Sequence, residues 1–224
     1  MYVEYEKLLP DVVQVLINEG VEEQSFNKNR AIYAIQQAYR EFVKDTHVLR
    51  RVICIPLQSC VSEYHLFKYD GHVISKIYSI CCEQECDRWQ TYDLEKICSP
   101  HRDTLNSGSP TNRSHYGGSD YRDNTYTYND GFINICPAPS CDGLSLEACV
   151  SVFPEASSCL MDERVYELYR EYLVHGAVAR MLPQQQARAF REYFTIGKDE
   201  AESDASAQWA RRTSNSRRQG WHRR

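Results

Sequence analysis

The chain has 224 residues, 42% of them hydrophobic and 25% charged, which permits a packed core and suits one large domain or a core with one subdomain. No run approaches ~18 consecutive apolar residues, so no membrane span is expected. The net charge of −5 is unevenly placed: WARRTSNSRRQGWHRR at 209–224 carries six arginines and no acid, leaving 20 basic against 31 acidic side chains, a body of net −11.

The opening MYVEYEKLLPDVVQ carries acids early and lacks a basic-then-apolar leader layout. The chain is therefore expected to stay in the cytoplasm where it is made. A first helix is expected from about Leu9 to Glu19. Pro10 suits its first turn, Val12, Val13, Leu16 and Ile17 form an apolar stripe, and Gly20 suits its C-terminal cap. A second follows Ser25 or Asn27, with Ala31, Ile35, Ala38, Tyr39 and Phe42 at helical spacing. Arg30, Gln37, Arg40 and Glu41 fall on its wet side. The short connection predicts an antiparallel helical hairpin.

From Leu49 to Phe153 the period is that of strands. Arg50–Leu57 is rich in aliphatics. Tyr64–Phe67 and Val73–Cys82 flank an Asp70-Gly71 hairpin signal, and Thr125–Tyr128 and Phe132–Cys136 flank Asn129-Asp130-Gly131. Asp142-Gly143 is a third turn signal. In Leu144–Phe153, Leu144, Leu146, Ala148, Val150 and Val152 alternate with Ser145, Glu147, Cys149 and Ser151, predicting one buried and one mainly wet face. The polar stretch 99–124 reads as a long loop, either protruding and ordered against a neighbour or disordered.

Helical periodicity returns near Met161, with Asp162 as N-cap. Val165, Leu168, Tyr169, Tyr172, Leu173, Ala177, Val178, Met181 and Leu182 make a broad apolar face that ends at Pro183. A fourth helix begins near Gln185, with Ala187, Phe190 and Phe194 towards the core; Gly197 weakens its middle by about 1 kcal/mol. The acidic, polar stretch beyond Gly197 needs something to pack on. Residues 209–224 show no apolar period, and their arginines repel one another, so this arm is expected to be unfolded in the free protein.

The expected fold is therefore α+β. A four-helix core of two helical hairpins (1–48 and 160–208) carries an inserted antiparallel β subdomain (49–159) and an extended basic C-terminal arm (209–224). Each hairpin alone has too little apolar surface, so the two must bury their stripes together.

Ten cysteines, at 54, 60, 81, 82, 86, 98, 136, 141, 149 and 159, form no Cys-x-x-Cys pair, so no metal site is expected. Alternation with aliphatics reads them as buried thiols of the β subdomain. No nucleophile elbow, His-Glu-x-x-His, phosphate loop or dinucleotide fingerprint occurs, so neither catalysis nor a cofactor is expected. His175 reads as a packing or interface residue, and His47 and His72 as surface residues.

Two segments, NRAIYAIQQAYREFVKDTHVLRR and DERVYELYREYLVHGAVARMLPQQQARAFREYF, carry a resemblance. The first is an apolar–small helix followed by an aromatic and a turn into strands. The second is a helix with a Gly176-Ala177 step, the pair Met181-Leu182 before a proline, and then an aromatic-bearing helix. Over roughly residues 9–58 and 125–196 this layout resembles the head-to-tail connector, or portal adaptor, family of tailed bacteriophages. The cysteine content and the 99–124 stretch depart from that pattern and bear on the outer contacts.

The resemblance implies a structural virion protein assembled in the bacterial host cytoplasm. It would form a homo-oligomeric ring, usually of twelve copies, between the portal and a tail tube or nozzle protein. Double-stranded DNA passes through the lumen of such rings, which help retain it, and their C-terminal segments reach along the portal. On that reading Trp209, Arg211, Arg212, Arg217, Arg218, Trp221, Arg223 and Arg224 bind the portal: arginines make bidentate pairs with carboxylates, and tryptophans anchor the register. The alternative is a nucleic-acid-binding protein that uses the same basic tail on phosphates. A tail-tube or terminator ring would be dominated by β structure, which four helical segments oppose.

Overall fold

The structure, a computed structural model, describes residues 1–22, 26–84, 90–93, 95–96, 125–129, 131–136, 138–139, 142 and 145–220. In chain order these form β1 (Tyr2–Glu4), a 3-10 turn (Tyr5–Leu8), α1 (Leu9–Asn18), α2 (Lys28–Thr46), β2 (Arg50–Pro56), β3 (Glu63–His65), β4 (Lys68–Tyr69) and β5 (His72–Gln84). Then follow β6 (Gln90–Asp93), β7 (Glu95–Lys96), β8 (Thr125–Asn129), β9 (Phe132–Cys136), β10 (Ser145–Pro154), β11 (Leu160–Asp162), α3 (Glu163–Met181) and α4 (Ala187–Gly220). The fold is mixed α+β, with four helices and largely antiparallel sheets among the described residues. No described helix is long and apolar enough to cross a membrane.

One compact unit comprises Met1–Arg50, Gly71–Ser75 and Ser151–Arg224. Its helix boundaries follow local chemistry. Gly20, at φ +84°, donates its N–H to the Ile17 carbonyl (3.0 Å) beyond the end of α1. The side-chain oxygen of Asn27 accepts the Arg30 N–H (3.1 Å), and that of Asp162 accepts the Arg164 N–H (3.1 Å), each satisfying a donor that the first helical turn leaves open. Leu8, Val12, Leu16, Ile35, Tyr39, Phe42, Leu173 and Val178 are buried together. Phe42 ties three helices: its ring lies 5.2 Å from Tyr169 and 5.9 Å from Phe194, so α2, α3 and α4 share one apolar interior. Burying such a side chain is worth roughly 1.5–3 kcal/mol. The strands β1 and β11 pair antiparallel in the same unit.

The second unit comprises Arg51–Asp70 and Lys76–Val150. Its interior is aliphatic, with Ile53, Leu66, Ile80, Ile133, Leu146 and Val150 buried. One sheet runs β2-β10-β5-β4, with β6 also on β5; the other runs β3-β9-β8-β7. Asp70 (φ 47°) and Gly71 (φ 70°) both take the left-handed conformation, as a two-residue turn of the kind expected there requires. The strand entering that turn is only Lys68–Tyr69, however. Of Tyr64–Phe67, expected to lead into the hairpin, Tyr64 and His65 belong to β3, which pairs with β9 instead. The turn at Gly131 (φ +83°) joins β8 to β9 where a hairpin was expected, with Asn129 opposite Phe132. The pairing of β7 with β8 is parallel, a local exception to the antiparallel expectation.

Two further expectations need correction. Cys149 and Ser151 of β10 are buried beside Leu146, Ala148, Val150 and Val152, so both faces of that strand are covered there. Cys149 is a buried thiol, but Cys54, Cys60 and Cys159 are exposed: in β2, Ile53 takes the inward position and Cys54 the outward one. The stretch 99–124 lies outside the described residues.

Candidate functional site

The close approach of α3 and α4 fixes the direction of the C-terminal helix. A Cβ at Gly176 would lie 2.6 Å from ring carbons of Phe194, and one at Gly197 would fall on the Tyr172 ring. Both glycines thus leave room for an aromatic ring of the facing helix. Lys198, next to Gly197, donates to Glu41 (3.1 Å) and Asp45 (3.0 Å) of α2, and Arg180 pairs with Glu41. Burial by itself lowers the Lys198 ammonium pKa; the two carboxylates more than reverse this and hold it above the ordinary lysine value. Further along, Arg164 Nη2 donates to Gln208 Oε1 (2.7 Å).

Arg164 is the second residue of α3, so the part of α4 that follows Gln208 continues beyond the start of α3. The backbone of 209–220 is helical and belongs to the same 34-residue helix as Phe194. This corrects the expectation of an unfolded, non-helical arm. The stretch lacks an apolar period, but Ala, Arg and Gln are good helix formers and no proline interrupts it, so propagation from a packed helix suffices. Trp209, Arg211, Arg212, Arg217 and Arg218 stand on this helix. Trp221, Arg223 and Arg224 lie outside the described residues.

Two charged grooves of the first unit were not legible as sites. The first, of about 730 Å³, lies along α2 and is lined by Arg30, Tyr33, Arg40, Lys44, Phe153 and Arg180, with Glu41 and Asp45. Those two carboxylates are taken up by Arg180 and Lys198. Arg40 donates Nε–H to the Pro154 carbonyl (3.2 Å) and, like Lys44, stands 6.0 Å from the centre of the Phe153 ring. Arg30, Arg40 and Lys44 form no ion pair among the described residues, so the groove is basic. Tyr33 is exposed at its wall.

The second groove lies between α3 and α4 and is lined by Glu167, Leu168, Tyr169, Arg170, Glu171, Tyr172, Glu200 and Asp204. Arg170 is bound bidentately to Asp11 (2.7 and 2.8 Å), so it does not offset the four groove carboxylates. Tyr172 donates its hydroxyl to Glu200 (2.6 Å), a bond that pushes its pKa up to about 12. Leu168 is exposed beside these acids. The wet-side residues of α2 were visible in the sequence as a polar helical stripe. What marks them as a groove is that the acids are neutralised from α3 and α4, which sequence spacing does not reveal.

The histidines sort differently from expectation in two cases, His47 and His72, which are both half-buried instead of surface residues. His175 packs, donating Nδ1–H to the Glu171 carbonyl (2.7 Å) with its ring 5.5 Å from Phe190 and 4.5 Å from Tyr193. His47 ends α2 at φ 52°, and its Nδ1 lies 3.0 Å from the Ser151 hydroxyl and 3.3 Å from that of Ser75, which bond to each other. Ser151 is fully buried, so this cluster closes the end of α2 with its hydroxyl out of reach of a substrate. Among the described residues no three His, Cys, Asp or Glu side chains gather as a metal cage. No protein-family model and no curated protein matches the chain.

Proposed function

We propose that this protein is a structural ring subunit between the portal and tail of a tailed bacteriophage, and that it grips the portal with the end of α4 and the residues after it. The supporting observation is the course of α4: its packed part reaches Gln208, and the helix then continues with the chain's segregated positive charge. Arginines on such a lever present forked donors to the carboxylates of a second oligomer, and Trp209 and Trp221 supply apolar anchors. Because the backbone is already helical to Gly220, docking orders less chain than an unfolded arm would. Several arms engaging one oligomer together multiply the effect.

Native mass measurement and negative-stain imaging of the purified chain, with and without its portal, test the reading. A ring of subunits on the portal is expected, and its loss when 209–224 is deleted. A truncated chain that attaches as well as the full one removes the proposed role of the arm. Loss of DNA affinity with undisturbed portal attachment would favour a nucleic-acid-binding function instead.

A further inference from the structure

The two charged grooves sit on different helices of the same unit and differ in sign. The α2 groove offers Arg30, Arg40 and Lys44 beyond its internal ion pairs, with exposed Tyr33 as an apolar wall. The α3–α4 groove offers Glu167, Glu171, Glu200 and Asp204 beyond the Arg170–Asp11 pair, with exposed Leu168 as its apolar element. We infer that the two grooves are the halves of one head-to-tail contact: the basic α2 groove of one copy receives the acidic α3–α4 face of the next.

Identical copies joined through two different complementary patches form a heterologous interface, which closes into a ring or runs on as a filament. The occupant is thus a second copy of this chain, selected by charge complementarity and by an exposed apolar residue lining each patch. The inference deepens the ring reading and rests on it for closure of the ring; the pairing of the grooves rests on the charges alone. Such a contact is steered and weakened by salt, because its carboxylates and cations are largely exposed.

The experiment is sedimentation analysis of the full chain at low and at high salt, with two charge-inverted variants. Arg30→Glu with Lys44→Glu makes the α2 groove acidic; Glu167→Lys with Glu171→Lys makes the α3–α4 groove basic. All four positions are exposed, and circular dichroism checks that both variants fold. The wild type is expected to self-associate with concentration at low salt, and roughly tenfold more weakly at high salt. Each variant alone should remain monomeric, and an equimolar mixture of the two should associate again, because each restores the face the other lacks.

Folded variants that associate as the wild type does, or a mixture that stays monomeric, overturn the inference. So does a wild-type chain that is monomeric throughout, and this last result leaves the arm reading standing if the chain still mounts its portal. Conversely, a chain truncated at Gln208 that associates normally but fails on the portal supports both, and one that does both normally retains the groove contact while removing the arm from portal binding.

Discussion

Alanine in place of glycine inside a helix ordinarily stabilises it by about 1 kcal/mol, since glycine has more backbone freedom to lose. At Gly197 and Gly176 the opposite is expected, because the added methyl meets the Tyr172 or Phe194 ring of the facing helix. Gly197→Ala and Gly176→Ala should each lower the unfolding free energy by roughly 1–3 kcal/mol, the usual range for overpacking. Urea titration reads this directly, and a stabilised variant would refute the close approach of α3 and α4. The sequence showed Gly197 only as a weak point in a helix: what a glycine faces across an interface is not written in its own neighbourhood. Burial also raises the phenol pKa of Tyr5 to about 12 and that of Tyr39 further still. A phenol held neutral by the fold ionises first in the unfolded chain, near pH 10. Stability from these groups is therefore complete below that value and falls as pH rises towards 12. Tyr5→Phe should flatten this alkaline fall in thermal melts recorded between pH 9 and 12.

The elements whose ends depend on local chemistry were legible. Pro10 and Gly20 bracket α1, Asn27 opens α2, Asp162 opens α3 and Pro183 follows its end, because caps and breakers act over one turn. Asn27→Ala should accordingly cost about 1 kcal/mol in the same urea titration, through loss of the bond to the Arg30 N–H. Pairings between distant segments were less legible. The two-residue β4 is too short to show a period, so Tyr64–Phe67 was read as the hairpin partner of Val73–Cys82, although β4 takes that place and Tyr64 and His65 pair with β9. The length of α4 was missed because an amphipathic stripe was required of a helix that, past Gln208, continues from one already packed. A proline in this part tests that view. Ser214→Pro breaks the ladder locally at about 3 kcal/mol. It should reduce the helical circular-dichroism signal while shifting the main melting transition little, since the α3 contacts up to Gln208 remain.

For the whole molecule the consequential feature is that charge is sorted by position: six arginines beyond Gln208, and a body of net −11 before it. An acidic body repels a duplex that passes close to it, whereas the arginines attract any anionic surface, protein or nucleic acid. Salt separates these two partners quantitatively. If all six arginines contacted duplex phosphates, the logarithm of the binding constant would fall with that of salt at a slope of about −5, from counterion release. Pairing with portal carboxylates releases no condensed counterion atmosphere, and the tryptophans add a contribution that salt does not screen. Portal attachment is therefore expected to have a much shallower slope, and Trp209→Ala should weaken it at low and high salt alike. Binding isotherms on duplex DNA and on isolated portal, from about 50 to 500 mM salt, decide the matter. A slope near −5 on DNA, with tighter binding there than on the portal at physiological salt, would make nucleic acid the partner of the basic end. The reverse ranking, lost on truncation at Gln208, is the outcome expected of a subunit that uses α4 to hold a neighbouring oligomer.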